Sequence, residues 1–232
     1  MVEIKGLEKF ASRDFPGYIS ATLFTGGCNF RCPYCHNADL VLRPEAIESY
    51  PYEAVQQFLE SRKDWLEAVC VSGGEPLLHS DISELFQDLK DRGLRTKLDT
   101  NGAFPQQLVS LLDADLLDFV AMDIKAPMDK YSAVTRTSVD IKNIKCSSDI
   151  ILGSGVDHVF RTTVVPGLIS HADIRDICKM LSGARSYQVQ TFSPENSLDI
   201  TYRKVEPFSQ DEFQQYVQIA QEYFPEVKPE GQ

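Results

Sequence analysis

Three cysteines share one short run, Thr25-Gly26-Gly27-Cys28-Asn29-Phe30-Arg31-Cys32-Pro33-Tyr34-Cys35-His36-Asn37. Three close thiolates without a fourth partner in the same run suit an iron-sulfur cube, which binds through cysteine and would here keep one iron open for chemistry. Structural zinc needs four nitrogen or sulfur ligands, usually as two paired knuckles. His36 adjoins Cys35, adjacent residues seldom both turn onto one ion, and no second Cys-x-x-Cys pair follows. A disulfide reading conflicts with the opening Met1-Val2-Glu3-Ile4-Lys5, which is charged and carries no apolar export segment, so a reducing, cytoplasmic setting is expected. Cys70, Cys146 and Cys178 lack ligand spacing and are expected in the core, where free cysteines usually lie.

Further groups able to do chemistry follow short apolar runs. Ala68-Val69-Cys70-Val71 leads into Ser72-Gly73-Gly74-Glu75-Pro76, where two glycines permit a close backbone approach and angles closed to other residues. Taken alone, this reads equally well as a strand-to-helix turn. Lys97-Leu98-Asp99-Thr100-Asn101-Gly102 and Ala121-Met122-Asp123-Ile124-Lys125 each place an acid after apolar residues. Such acids often serve only as turn residues, yet two acids and a lysine at the ends of neighbouring strands form a polar constellation. Arg161 is the one charged residue of Phe160-Arg161-Thr162-Thr163-Val164-Val165-Pro166-Gly167, a place in a largely apolar strand that favours an inward guanidinium paired with carboxylates.

The elements that must position these groups alternate regularly. Strands are expected at Tyr18 to Leu23, Leu66 to Val71, Arg95 to Leu98, Phe119 to Ile124, His158 to Val164 and Tyr187 to Thr191. Between them lie amphipathic stretches, such as Ile82, Leu85, Phe86 and Leu89 at helical spacing, with Asp81 and Glu84 as a start signal. Ser209 and Glu212 form a capping box for a last helix burying Phe213, Tyr216, Val217 and Ala220. Strands separated by helices imply a parallel sheet in an α/β fold.

With 232 residues, 43% hydrophobic and 25% charged, the chain suits one domain over 1–232 with a full core. No apolar run approaches the ~20 residues of a membrane helix, so no membrane partner is expected. A formal charge of -11 argues against nucleic acid as the main partner. His79, His158 and His171 lack metal-ligand spacing, and Trp65 reads as a helix-to-strand packing residue.

The Cys-x-x-x-Cys-x-x-Cys run resembles that of the radical S-adenosylmethionine enzymes. The resemblance implies a [4Fe-4S] cluster on Cys28, Cys32 and Cys35 as the catalytic centre, with S-adenosylmethionine on the open iron. Tyr34 fills the place of the aromatic residue beside the adenine. The fold implied is a partial (β/α)6 TIM-like barrel with parallel strands, whose working residues sit past the strand ends. Gly73, Gly74 and Glu75 match the Gly-Gly-Glu-Pro element that lines the site of the cofactor's amino group.

The strand-end acids resemble those of a narrower branch, the glycyl-radical-enzyme activating enzymes. The resemblance implies Asp99 and Asp123 as ligands of a monovalent cation near the cofactor's carboxylate, with the Ala121 carbonyl a weaker candidate. Oxygen ligands suit such a hard cation. Lys125 and Arg161 carry over as contacts in the same pocket.

Across nearly its full length the chain looks most like the anaerobic ribonucleoside-triphosphate reductase activating proteins. The implied reaction is hydrogen abstraction from a glycine of a partner glycyl-radical enzyme, with a flavodoxin or ferredoxin as electron donor. One departure separates it from pyruvate formate-lyase activases, which carry a histidine after the last strand where this chain has Thr191-Phe192-Ser193-Pro194-Glu195-Asn196. Three alternatives stand beside this reading: an activase of pyruvate formate-lyase or another glycyl-radical enzyme, a small-molecule radical enzyme such as a 7-carboxy-7-deazaguanine synthase, and a non-catalytic electron carrier. The carrier has no use for an open iron beside Gly73-Gly74-Glu75.

Overall fold

In the computed structural model, which describes residues 2–229, the six strands expected from the sequence are present. The chain forms β1 (Ile4–Ala11), β2 (Ser20–Thr25), β3 (Ala68–Gly73), β4 (Arg95–Thr100), β5 (Phe119–Asp123), β6 (Asp157–Val164), β7 (Ser186–Thr191) and β8 (Glu226–Pro229). Their hydrogen-bonded order follows the sequence, β1 to β8, in an eight-stranded sheet. β1 runs antiparallel to β2, whereas β2 with β3, β3 with β4, β6 with β7 and β7 with β8 are parallel. The expected α/β class with a mostly parallel sheet is therefore present, and β2 to β7 are its expected strands. The outermost strands, β1 and β8, were not expected. β1 mixes charged and apolar residues and leaves most of its side chains at least partly exposed, and β8 has only four residues.

The chain divides into two compact units. The first comprises the chain up to Asn29, then Asp39–Thr100 and Phe104–Val120. In it Ser20 to Thr25 pair in register with Ala68 to Gly73, and Ala68 pairs with Arg95. Ala68 to Val71 are fully buried, the pattern of a parallel strand covered on both faces. Helices Tyr52–Ser61, Ile82–Asp91 and Pro105–Asp113 turn apolar stripes inward, burying Val55 and Leu59, then Leu85, Phe86 and Leu89, then Leu108 and Leu111. Asp81 precedes the second of these helices as expected, but it is the backbone carbonyl that accepts from Glu84 N, at 3.1 Å, and its side chain makes no capping bond.

The second unit comprises Phe30–Ala38, Asn101–Ala103 and the chain from Ala121 onward. Asp140 caps helix Ile141–Ser154, and Ser170 with Asp173 forms a capping box for helix His171–Met180. The expected box of Ser209 and Glu212 starts helix Gln210–Gln221, which buries Tyr216, Val217 and Ala220 and leaves Phe213 half-buried. Phe224 stacks on Tyr187 of β7 with ring centroids 5.1 Å apart.

Two core assignments need correction. Cys70 and Cys178 are buried, but Cys146 is exposed on helix Ile141–Ser154. Trp65 is 40% exposed, with the Arg62 guanidinium 4.7 Å from its ring centroid, so it lies at the surface instead of packing between helix and strand. No helix among the described residues is long and apolar enough to cross a membrane.

Candidate functional site

In the first unit, the ends of β2 and β3 are joined backbone to backbone. Gly74 N donates to Thr25 O at 3.0 Å and Glu75 N to Gly27 O at 2.8 Å. A Cβ on Gly74 would fall 1.8 Å from Gly27 O, and one on Gly73, whose φ is +117°, 2.4 Å from Thr25 O. The glycines are required here because two main chains touch where a side chain would stand. The segment they approach leads directly into Cys28.

Glu75 is fully buried, and its Oε1 accepts from Thr100 Oγ1 at 2.8 Å and from Leu77 N at 3.1 Å. It thereby ties the end of β4 to the turn after β3. Asp99 accepts from Ser72 Oγ at 3.1 Å and pairs with Lys97, whose ammonium also lies 3.5 Å from Cys70 Sγ. Lys97 is only 3% exposed, so its charge is matched within the fold by Asp99. Lys97 escaped the sequence reading, although a signal existed: residues two apart on a strand share a face.

The second unit holds Cys32, Tyr34, Cys35, Asp123, Lys125 and Arg161. Arg161 of β6 donates from Nε to Asp123 Oδ1 at 2.7 Å, and Lys125 Nζ lies 3.0 Å from Oδ2. The strand ends that carry these groups are joined by Ile124 N donating to Arg161 O at 2.8 Å. Tyr131 Oη accepts from Lys125 N at 3.2 Å and donates to Asp123 O at 3.4 Å, clamping the turn between the two charged residues. Burial works to raise the Asp123 carboxyl, but Arg161 and then Lys125 outweigh it and hold it well below the usual carboxylate range. Burial also opposes the charge on Lys125, yet Asp123, followed by Tyr34 and Cys32, holds it well above the usual ammonium range.

Cys32 and Tyr34 are buried, at 6% and 4% exposure. Burial pushes the Cys35 thiol up, and Lys125 works in the opposite direction, favouring the thiolate that iron requires. Burial, reinforced by Cys32, also raises the Tyr34 phenol, whose hydroxyl is enclosed without a hydrogen-bond partner among the described residues. A buried hydroxyl of this kind normally has a partner. Its position in the cysteine run fits a bound group with a polar atom to offer.

None of the six cysteines forms a disulfide among the described residues. Among the described residues no three histidine, cysteine or carboxylate side chains form a site for a single metal ion. Cysteines of a cube hold different irons and need not converge on one point, so this donor set fits an iron-sulfur cluster better than a lone ion. His79, set aside as structural, has Nε2 2.9 Å from Gly26 O, beside the cysteine run.

The profile of the Radical SAM superfamily matches residues 22–181. A protein of Methanocaldococcus jannaschii described as "Putative glycyl-radical enzyme activating enzyme" is 31% identical over 229 residues, covering 97% of this chain and 94% of its own. The pyruvate formate-lyase-activating enzyme of Streptococcus mutans is 31% identical over 71% of this chain and 66% of its own length. The fold is that of SuiB from Streptococcus suis, solved bound to S-adenosylmethionine, with a TM-score of 0.70 at 17% identity; the match covers 94% of this chain but about half, 51%, of SuiB. The chain belongs to the radical SAM superfamily and, within it, to the glycyl-radical enzyme activating enzymes. The cofactors of that superfamily are a [4Fe-4S] cluster and S-adenosylmethionine, as the sequence led us to expect.

Proposed function

We propose that this chain generates a glycyl radical on a partner enzyme, and that the partner is an anaerobic ribonucleoside-triphosphate reductase. One observation carries the activase reading: similarity to a glycyl-radical enzyme activating protein over nearly the whole of both chains. The choice of reductase rests on the likeness of the cysteine run and of Lys97 to Gly102 to the reductase activating proteins. When bound, the reduced cluster and S-adenosylmethionine supply a 5'-deoxyadenosyl radical, which abstracts hydrogen from the glycine Cα.

The chain's own residues do the holding. Cys28, Cys32 and Cys35 bind the cluster as thiolates. Tyr34 lies beside the cofactor, and the Gly73-Gly74-Glu75 turn lines its amino end. Lys125 and Arg161, with Asp123 between them, offer fixed charges to its carboxylate end. Asp99 and Asp123 stay candidate ligands of a monovalent cation, competing with Lys97, Lys125 and Arg161 for the same oxygens. A flavodoxin or ferredoxin reduces the cluster, and the chain acts as one catalytic domain.

A second reading has its own support. Relatives described as pyruvate formate-lyase-activating enzymes include the Streptococcus mutans enzyme and one of Staphylococcus aureus that is 37% identical over 57% of this chain. Pyruvate formate-lyase is therefore the competing partner.

The test is anaerobic. The protein is reconstituted with iron and sulfide, reduced with dithionite, given S-adenosylmethionine and mixed with each candidate partner in turn. Formation of 5'-deoxyadenosine together with a glycyl radical signal on the reductase, both lost in Cys32→Ala, is the expected result. A signal only on pyruvate formate-lyase would reassign the partner. Turnover of a small molecule without any protein partner would overturn the activase reading.

A further inference from the structure

The run that carries Cys32 and Cys35 is gripped from two sides within the second unit. On one side Arg31 N donates to Thr135 O at 2.9 Å. On the other, Asp199 N donates to Pro33 O at 2.9 Å and Leu198 N to Cys35 O at 3.1 Å. Thr135 ends a short helix and Leu198-Asp199 belongs to the segment after β7, so the two grips come from stretches far apart in sequence.

One contact closes the grips on each other. Arg136, immediately after Thr135, pairs its Nη1 with Asp199 Oδ2 at 2.5 Å, and its guanidinium lies 5.7 Å from the Tyr202 ring centroid. The other oxygen of Asp199 accepts from Thr201 N at 2.9 Å and Thr201 Oγ1 at 2.7 Å, so the carboxylate is held at both ends. Arg136 adopts φ +55°, a left-handed conformation that disfavours a residue with a Cβ. A non-glycine residue kept there points to a task for its side chain.

We propose that Arg136 and Asp199 form a clasp that positions the cysteine loop, fixing the backbone of Cys32 and Cys35 and so setting how firmly the cluster is held and how well it is shielded from water. Neither side chain is a cluster ligand; they are positioning residues acting through the loop's main chain. Hydrogen-bonded groups behind a metal site commonly change affinity by one to two orders of magnitude. The inference concerns cluster retention and does not depend on the identity of the partner enzyme.

The experiment uses the anaerobically reconstituted full chain and follows iron release to a chelator, the spin-resonance spectrum of the reduced cluster, and the melting temperature of the cluster-free protein. Arg136→Gly removes the guanidinium at a position where glycine is at ease, so the cluster-free melting temperature should hold or rise. Iron release should quicken on the order of tenfold, with an altered cluster spectrum. Asp199→Asn should release iron faster in the same direction, and Arg136→Lys, which restores a cation, should recover most of the retention. Wild-type release and spectrum in both Arg136→Gly and Asp199→Asn would overturn the proposal. So would fast release in Arg136→Gly that Arg136→Lys does not slow, since backbone conformation would then be the cause.

Discussion

Arg161 Nε meets Asp123 Oδ1 at 2.7 Å across neighbouring strand ends, while Lys125 holds the other oxygen. The carboxylate is shared by two cations, and removing one leaves an incomplete set in a largely buried place. Arg161→Met should destabilise the cluster-free protein by about 1–3 kcal/mol, less than a fully broken buried pair because Lys125 remains. Urea unfolding checks the magnitude. The same variant should weaken S-adenosylmethionine binding, measured by titration into the loaded protein.

Gly74 and Gly153 form a contrasting pair. Alanine at Gly74 would put a Cβ 1.8 Å from Gly27 O, whereas nothing lies within 4 Å of a Cβ at Gly153. Gly74→Ala should cost about 1–3 kcal/mol or more and reduce iron loading, because the segment entering Cys28 must shift. Gly153→Ala, inside helix Ile141–Ser154, should stabilise by about 0.5–1 kcal/mol. Denaturant midpoints of the two variants should move in opposite directions.

Asp199 supplies a pH signature. The Thr201 backbone N–H, then its hydroxyl, then Arg136 hold this carboxyl down at about 2. A depressed carboxyl stabilises the fold above its unfolded value near 4, and the effect is lost as pH falls from there through the folded value. Stability of the cluster-free wild type should therefore decline between about pH 4 and 2 more steeply than that of Asp199→Asn. Parallel pH profiles for the two proteins would contradict the assignment.

The cysteines outside the run should differ in reactivity. Burial pushes the Cys178 thiol up to about 12, and Cys178 is 1% exposed, while Cys146 is exposed. With the cluster in place, iodoacetamide at pH 8 should label Cys146 and leave Cys70 and Cys178 unmodified. Peptide mass spectrometry reads the result directly.

Much of this could be read along the chain because it is local. The runs that became β2 to β7 lie within two residues of their expected bounds; β3 and β5 were written as continuous apolar stretches, the mark of buried parallel strands, whereas β4 and β7 mix polar and apolar residues. The Ser209–Glu212 box was visible for the same reason: both partners stand within one helical turn. β1 escaped because an edge strand with exposed charged residues carries no continuous apolar signal. Trp65 and Cys146 were misplaced because residue type gives only an average burial, and what covers a position comes from elsewhere in the chain.

The sequence by itself determined the chemistry: which thiols could hold a cluster, which strand ends bear acids and bases, and which family these motifs resemble. Tertiary structure alone decided the long-range pairings, namely Arg161 for Asp123 and Arg136 for Asp199. A motif resides in residue types at short spacing. An ion pair between residues as distant in sequence as Arg136 and Asp199 exists only once folding has brought two remote backbones to the same loop, and no local pattern encodes that meeting.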